Sequence, residues 1–272
     1  MNPISGASSL SAEAGIDAAT TFLPPRGAWP GLAQAAERLV APLDDDALAR
    51  FARYRDLLLK RSAQFNLTAI RDPDEIERRL FLDAIAMVPV LDRVTRSLSA
   101  RHINEIRFVD MGTGAGFPGL ALKIVRPYLD MTLVDATAKK VAFMNEAIAA
   151  LELDAVRAVQ GRAEDVGQDT AYRARFDVAT ARAVASLPVL LEYVIPLLKV
   201  GGTALLPKGL EIAEELRLGM RAAEAFGAEI VSSAVLPVDA TRLIVAYKSA
   251  PTPAAYPRRI GVPSRDPLGE RF

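Results

Sequence analysis

The sequence predicts an α/β fold: a largely parallel β-sheet with helices on its faces, closed by an antiparallel hairpin and preceded by a small helical region. Three observations carry this. From Ile106 onward, short apolar runs alternate with amphipathic stretches, and such alternation implies β-α-β units and a parallel sheet. The last two extended runs, 228–236 and 241–248, are joined by Pro237-Val238-Asp239-Ala240 and read as a hairpin. Before Ile106, apolar residues recur at the spacing of an amphipathic helix.

Residues 1–31 are rich in Ser, Ala, Gly, Thr and Pro. They have too little apolar surface to offset the entropy of ordering, so a disordered tail is expected. Residues 32–105 form the helical region. Leu43, Ala47, Leu48, Phe51, Tyr54, Leu57 and Leu58 lie on one stripe, and Asp44 and Asp45 suit the helix start as caps or as charges complementing the macrodipole. A second helix is expected from Pro73 to about Met87, with proline at its first position. Within 106–250, strands are expected at 106–110, 131–135, 156–160, 176–181 and 202–206. Helices are expected at 117–127, 138–151, 187–199 and 210–226. Residues 251–272 form a basic C-terminal tail.

Composition bounds the chemistry. At 51% hydrophobic and 24% charged residues, the 272-residue chain reads as an ordinary soluble globular protein with a sizeable core. Lys plus Arg equals Asp plus Glu, 33 each, so any nucleic-acid face must be local. The absence of cysteine excludes disulfides, Cys-zinc sites, iron–sulfur clusters and thiolate nucleophiles. His102 is the single histidine, flanked by Arg101 and Asn104, and reads as a surface residue. No apolar run reaches membrane-spanning length and no basic residue precedes Arg26. A membrane segment, a secretory signal or a transit peptide is therefore not expected, and the protein is expected in the cytoplasm.

The strongest local signal is Phe108-Val109-Asp110-Met111-Gly112-Thr113-Gly114-Ala115-Gly116-Phe117-Pro118-Gly119. A strand runs into a glycine-rich turn and then a helix. Glycines let the backbone turn tightly and approach a ligand, while helix N-terminal amides suit a carboxylate or phosphate. Gly114-x-Gly116-x-x-Gly119 matches the dinucleotide fingerprint. Asp110-x-Gly112-x-Gly114-x-Gly116 matches the loop that binds S-adenosylmethionine (AdoMet). An acid at the strand end serves a ligand carrying an ammonium group and not a pyrophosphate, so AdoMet is the better reading. Asp135 ends the next strand, 19 residues after Gly116, where a carboxylate can accept both ribose hydroxyls of either cofactor. Gly161-Arg162-Ala163-Glu164-Asp165 follows the third strand, where adenine sits in an AdoMet fold. With the closing hairpin, these features favour the seven-stranded, Rossmann-like sheet of AdoMet-dependent methyltransferases.

The segment after the fourth strand, Phe176-Asp177-Val178-Ala179-Thr180-Ala181-Arg182-Ala183-Val184-Ala185-Ser186-Leu187, lacks the Asn/Asp-Pro-Pro-Tyr/Phe that grips an exocyclic amino group. Without cysteine, pyrimidine C5 methylation through a thiolate adduct is excluded. What remains is a substrate that is already nucleophilic or needs only light activation. Guanine N7 fits, because its in-plane lone pair needs no general base. Catalysis would then rest on positioning and desolvation.

Together these residues are similar to the RsmG (GidB) family, bacterial methyltransferases that modify guanine N7 in 16S ribosomal RNA. The resemblance covers roughly 43–268. Besides the glycine loop it includes Asn66-Leu67-Thr68-Ala69-Ile70-Arg71-Asp72-Pro73, Leu82-Asp83, Lys139-Lys140-Val141-Ala142-Phe143, Gly161-Arg162-Ala163-Glu164, Ala181-Arg182-Ala183-Val184-Ala185-Ser186-Leu187, Pro207-Lys208-Gly209 and Tyr256-Pro257-Arg258-Arg259-x-Gly261-x-Pro263. The resemblance implies that Gly112, Gly114 and Phe117 line the AdoMet pocket; Thr113 of the same loop and Asp135, the acid at the end of the second strand, are counted with them as cofactor-binding residues. It implies that Ala163 and Glu164 hold the adenine, and that Arg182 sits at the cofactor and the incoming base. Asn66 and Thr68 would belong to the substrate side. No acid–base catalyst is implied; Arg182 and Asn66 would position the base. The implied partner is 16S rRNA or the small ribosomal subunit, with no metal and no membrane, and the protein is expected to be a monomer. The alternative is an AdoMet enzyme acting on a small molecule or a protein. Many members carry a histidine just before the Leu82-Asp83 pair; here Arg78 and Arg79 are the candidate replacements.

RNA affinity needs local cations. Arg50, Arg53, Arg55, Lys60 and Arg61 face only Asp56 within 50–61, and could meet phosphates or equally form a solvated helix face. For Tyr256, Arg258 and Arg259 the RNA reading is favoured, since tyrosine stacks on bases and arginine pairs with phosphate. Lys208 follows the fifth strand, at the edge where sites form in open α/β sheets, and is placed with the RNA contacts. Trp29 is uninformative.

Overall fold

A computed structural model of the chain describes residues 29–269 apart from 66, 104, 183, 184, 239 and 240. Helix α1 (Leu32–Arg38) precedes α2 (Asp45–Ser62), whose first turn is capped by Asp44 Oδ1 accepting from the Ala47 amide at 2.8 Å. The expected stripe is the buried one: Ala47, Phe51, Tyr54 and Leu58 face inward. The helix expected over 73–87 begins at Pro73, with Asp72 as its cap, but it is not regular. It runs as α3 (Pro73–Ile76), one wide π-type turn over Glu77–Phe81, then α4 (Leu82–Ile85). The wide turn holds one more residue than an α-turn, and both Leu80 and Phe81 point into the core. Helix α5 (Val88–Ala100) follows.

The alternating region is β1 (Arg107–Met111), α6 (Gly119–Val125), β2 (Asp130–Asp135), α7 (Ala138–Ala150), β3 (Val156–Gln160), α8 (Ala163–Gln168), β4 (Phe176–Thr180), α9 (Leu187–Val194), β5 (Leu198–Gly209), α10 (Ala213–Ala225), β6 (Ala228–Val235) and β7 (Thr241–Lys248). A single turn, α11 (Val262–Arg265), lies near the end. The helix expected to reach residue 199 stops at Val194. Pro196 lacks an amide proton, so the chain tightens into a 3₁₀ turn at Ile195–Leu197 and enters β5 four residues earlier than expected.

The strands form one sheet in the order β3-β2-β1-β4-β5-β7-β6. β1–β2, β2–β3 and β4–β5 pair in parallel, and β7 runs antiparallel to both β5 and β6, so the closing hairpin is present. The fold is therefore the expected seven-stranded α/β sheet with preceding helices. By compactness the described residues divide into two units, 29–161 with 237–238, and 162–236 with 241–269. Phe108, Leu120, Leu133 and Met144 are fully buried in the first; Val178, Leu190, Leu205 and Ile244 in the second. Each such side chain contributes about 1.5–3 kcal/mol on burial. Among the described residues, no helix is long and apolar enough to cross a membrane.

Candidate active site

In the first unit the glycine loop leaves β1 and folds on its own acid. Asp110 is fully buried, and its Oδ2 accepts from Thr113 Oγ1 at 2.5 Å and from the Gly119 amide at 2.8 Å. The expectation that this carboxylate serves a ligand ammonium group meets a different use: it ties the two ends of the turn together. Thr113 is accordingly turned inward, 2% exposed. The amides of Gly112 and Thr113 both donate to the Val134 carbonyl, at 2.8 and 3.1 Å, which pins the loop to the end of β2.

Gly114 and Gly116 are two positions of the loop where the backbone itself disfavours a side chain. Both have left-handed backbone, φ 63° and 94°. A Cβ on Gly116 would lie 2.6 Å from Tyr54 Oη and 2.5 Å from Leu120 Cδ1, so packing forbids it. A Cβ on Gly114 would meet nothing within 4 Å, so this glycine faces open space. Its amide donates to Asp135 Oδ2 at 3.0 Å. Asp135 Oδ1 accepts from the Thr137 amide at 2.9 Å, and Lys140 Nζ stands 3.5 Å from Oδ2. Asp135 thus sits where the sequence places it, at the end of β2 and in contact with the loop. Phe117 stacks on Tyr54, ring centroids 5.2 Å apart and planes at 12°, within a cluster that also holds Phe81 and Phe51.

In the second unit Ala163 opens α8, half-buried, and Glu164 beside it is 6% exposed. Glu164 Oε1 accepts from the Gly261 amide at 2.9 Å and from Tyr193 Oη at 3.3 Å, and Tyr193 Oη also lies 3.1 Å from Ser264 Oγ. Burial, first of all, pushes the Tyr193 phenol above its ordinary pKa. The segment from 249 onward is therefore fastened to the Glu164 turn. Arg173 fastens it again, donating to the carbonyls of Gly167, Thr252, Pro253 and Tyr256 at 2.6–3.1 Å.

This changes the reading of the C-terminal cations. Arg258, expected to meet phosphate, instead grips the buried Glu192. Tyr256 is half-buried and packs edge-on against Phe226 at 5.0 Å. Arg259 is exposed. Lys208 is likewise engaged: its Nζ lies 2.7 Å from Glu215 Oε1 and donates to the Ala185 carbonyl at 3.0 Å. Glu215 also accepts from the Leu187 amide at 2.5 Å, so Lys208 and Glu215 together hold Ala185 and Leu187 at the start of α9. Arg182 itself is half-buried just beyond β4.

On the expected substrate side, Asn66 lies outside the described residues. Thr68 Oγ1 accepts from the Ile70 amide at 3.1 Å, and the Thr68 carbonyl accepts from Arg71. Arg78 and Arg79 each stand 3.8 Å from Glu75. Of the α2 cations, Arg50 pairs with Asp46, Arg53 with Glu152, Arg55 with Asp56 and Glu77, and Arg61 with Glu146. The helix face is thus laced by intramolecular pairs, which favours the solvated-face reading over phosphate contact. Trp29 donates from its indole to Glu77 Oε2 at 3.1 Å, and His102 is exposed.

Sequence reasoning does not single out Tyr54, which bonds the glycine loop, or Glu192, Tyr193 and Arg173, which bond the C-terminal segment or its anchors. One signal was available: Glu192 is the lone charge in the otherwise apolar α9, and a buried charge requires a partner. Among the described residues, no group of three or more His, Asp or Glu side chains could hold a metal ion.

The mixed seven-stranded sheet with its acid-anchored glycine loop after β1 is an α/β fold, and the family match makes the chain a methyltransferase. The chain belongs to the GidB family, rRNA small subunit methyltransferase G, whose family model matches residues 47–242. It is 42% identical over 232 residues to the ribosomal RNA small subunit methyltransferase G of Chloroflexus aggregans, covering 84% of this chain and 92% of the relative. It is 39% identical over 236 residues to that of Desulfitobacterium hafniense, covering 85% and 94%. In three dimensions it is similar to a Methanococcus jannaschii fibrillarin pre-rRNA processing protein, at 15% identity over 54% of this chain and 68% of the other, with TM-score 0.45.

Proposed function

We propose that the protein transfers the methyl group of AdoMet to N7 of a guanine in 16S ribosomal RNA. The observation that carries this is the Gly114 turn. It opens on free space and is fixed through its amide on Asp135, in a chain that belongs to the small-subunit rRNA methyltransferase G family.

The residues present fit the cofactor. The missing Cβ at Gly114 leaves room for a ligand against the backbone. A carboxylate offers about four lone-pair sites, and Asp135 uses three, on Gly114, Thr137 and Lys140, so it retains capacity for a ribose hydroxyl. Ala163 and Glu164 would hold the adenine, with Glu164 kept in place by Gly261 and Tyr193. Gly112, Thr113 and Phe117 shape the loop. When bound, AdoMet would supply a sulfonium methyl: an N7–carbon bond would form in line as the carbon–sulfur bond breaks, S-adenosylhomocysteine leaving as a neutral thioether and the positive charge passing to the base. No residue has to remove a proton, so the work of Arg182, Asn66 and Thr68 is to hold the base in line and keep water out. Arg259 meets RNA phosphate and Tyr256 borders that contact. Lys208 and Arg258 support it by fixing the segments on which Arg182 and Arg259 sit.

The helical region 32–105, the AdoMet domain 106–250 and the basic segment 251–272 would all serve the reaction, in a cytoplasmic monomer. The test is incubation with methyl-labelled AdoMet and small subunits whose RNA lacks the modification. Label entering 16S RNA supports the proposal. Label entering protein or small-molecule acceptors instead, with AdoMet bound, overturns it.

A further inference from the structure

We propose that Tyr54 is a positioning residue for the glycine loop, acting through the hydrogen bond from its buried hydroxyl to the Ala115 carbonyl. This rests on the reading of that loop as the cofactor cradle. Tyr54 lies on α2, 61 residues before Ala115, in the helical region that precedes the sheet. It is fully buried, and its hydroxyl donates to Ala115 at 2.5 Å. Its ring is flanked by Phe81 at 5.4 Å and Phe117 at 5.2 Å, which fixes the direction of the hydroxyl.

The geometry is specific to the loop. The peptide unit joining Ala115 to Gly116 is held at both ends: the carbonyl by Tyr54, and the Gly116 amide by the Thr113 carbonyl at 3.0 Å. The preceding amide, Gly114, is held by Asp135. Between two left-handed glycines the backbone has an unusual number of alternatives, and these bonds select one. The absence of a Cβ on Gly116 is what lets the Tyr54 oxygen approach. Burial, with Asp110 adding to it, pushes the phenol well above its ordinary pKa, so the hydroxyl stays a neutral donor across the working range. The helical region therefore serves the cofactor side of the site as well as the substrate side.

The test is Tyr54→Phe in the full chain, which keeps the ring stack and deletes the donor. Hydrogen exchange of the Gly114–Phe117 amides in ligand-free protein, and the AdoMet Kd by calorimetry, should each rise about tenfold, the equivalent of about 1.4 kcal/mol. RNA affinity should stay within about twofold. Phe51→Leu is the control: it disturbs the same aromatic cluster without touching the loop, and should lower the melting temperature while leaving AdoMet Kd unchanged. Unchanged loop exchange in Tyr54→Phe, or equal loss of AdoMet affinity in Phe51→Leu, would overturn the proposal. Should the wild type bind no AdoMet, the functional reading fails, while the exchange readout still decides whether Tyr54 holds the loop.

Discussion

Arg258 and Glu192 form a two-point ion pair across 66 residues of sequence, with Nε–Oε1 at 2.9 Å and Nη2–Oε2 at 2.7 Å. The Arg258 amide adds a third contact to Oε1 at 2.8 Å, and the guanidinium also donates to the Asp266 carbonyl at 2.9 Å. Glu192 is 1% exposed, so its charge depends on this partner. The pairing raises the Arg258 pKa further above its ordinary value. The C-terminal segment is thus a packed strap, and the next residue, Arg259, is an exposed cation on it.

Arg258→Ala should destabilise the protein by about 3–5 kcal/mol, because it leaves the Glu192 carboxylate buried and unpaired. Arg259→Ala should change stability by no more than about 0.5 kcal/mol. It should instead reduce the slope of log K against log salt for RNA binding by about 1. Denaturant unfolding and RNA titrations over a salt series separate the two. Equal stability losses, or an unchanged slope for Arg259→Ala, would contradict these roles.

Two glycines of the loop should respond differently to alanine. At Gly119 the new Cβ would lie 2.4 Å from Leu133 Cδ2 and 2.8 Å from Asp110 Oδ2, so Gly119→Ala should cost about 1–3 kcal/mol of stability through overpacking. At Gly114 the methyl meets nothing, and the cost is confined to the left-handed backbone, about 1 kcal/mol. That methyl points into the proposed cofactor space, so Gly114→Ala should weaken AdoMet binding out of proportion to its effect on melting temperature. Calorimetry beside thermal unfolding checks the pair.

Lys248 is a buried lysine on β7 whose Nζ donates to the carbonyls of Ile195 and Leu198 at 2.9 and 2.8 Å. Burial first, then the nearby Arg173 charge, lowers its pKa from 10.5 to about 8. Between those values the unfolded chain holds more protons on this group than the folded one, so its contribution to stability rises as pH climbs through the window. Below about pH 8 both states are protonated and the contribution is flat. Lys248→Met should remove this dependence: wild type gains on the variant from pH 8 to 10.5. Parallel stability curves across that range would count against it.

The glycine loop was legible because its constraint is local. Left-handed turns and close backbone approach select glycine directly, and Asp110 and Asp135 stand at strand ends that alternation alone locates. The strands were legible because each is an apolar run bounded by polar turns. The wide turn at Glu77–Phe81 was not, since Leu80 and Phe81 face inward for the sake of an aromatic cluster with Tyr54 and Phe117, distant in sequence. The pairing of the cations is not legible for the same reason. Arg258 and Lys208 look available within any short window, and their carboxylates arrive from Glu192 and Glu215 on other helices. A charge pattern shows how many cations a segment carries; only the fold shows which are already paired.

The most direct test of the central claim is chemical. N7-methylguanine is open to reduction and strand scission with borohydride and aniline, which unmodified guanine resists. Small-subunit RNA lacking the modification, treated with this protein and AdoMet and then subjected to that chemistry, should break at one guanine, and only when both protein and AdoMet are supplied. An intact 16S RNA, in a reaction where AdoMet binding is confirmed, would contradict methyl transfer to guanine N7.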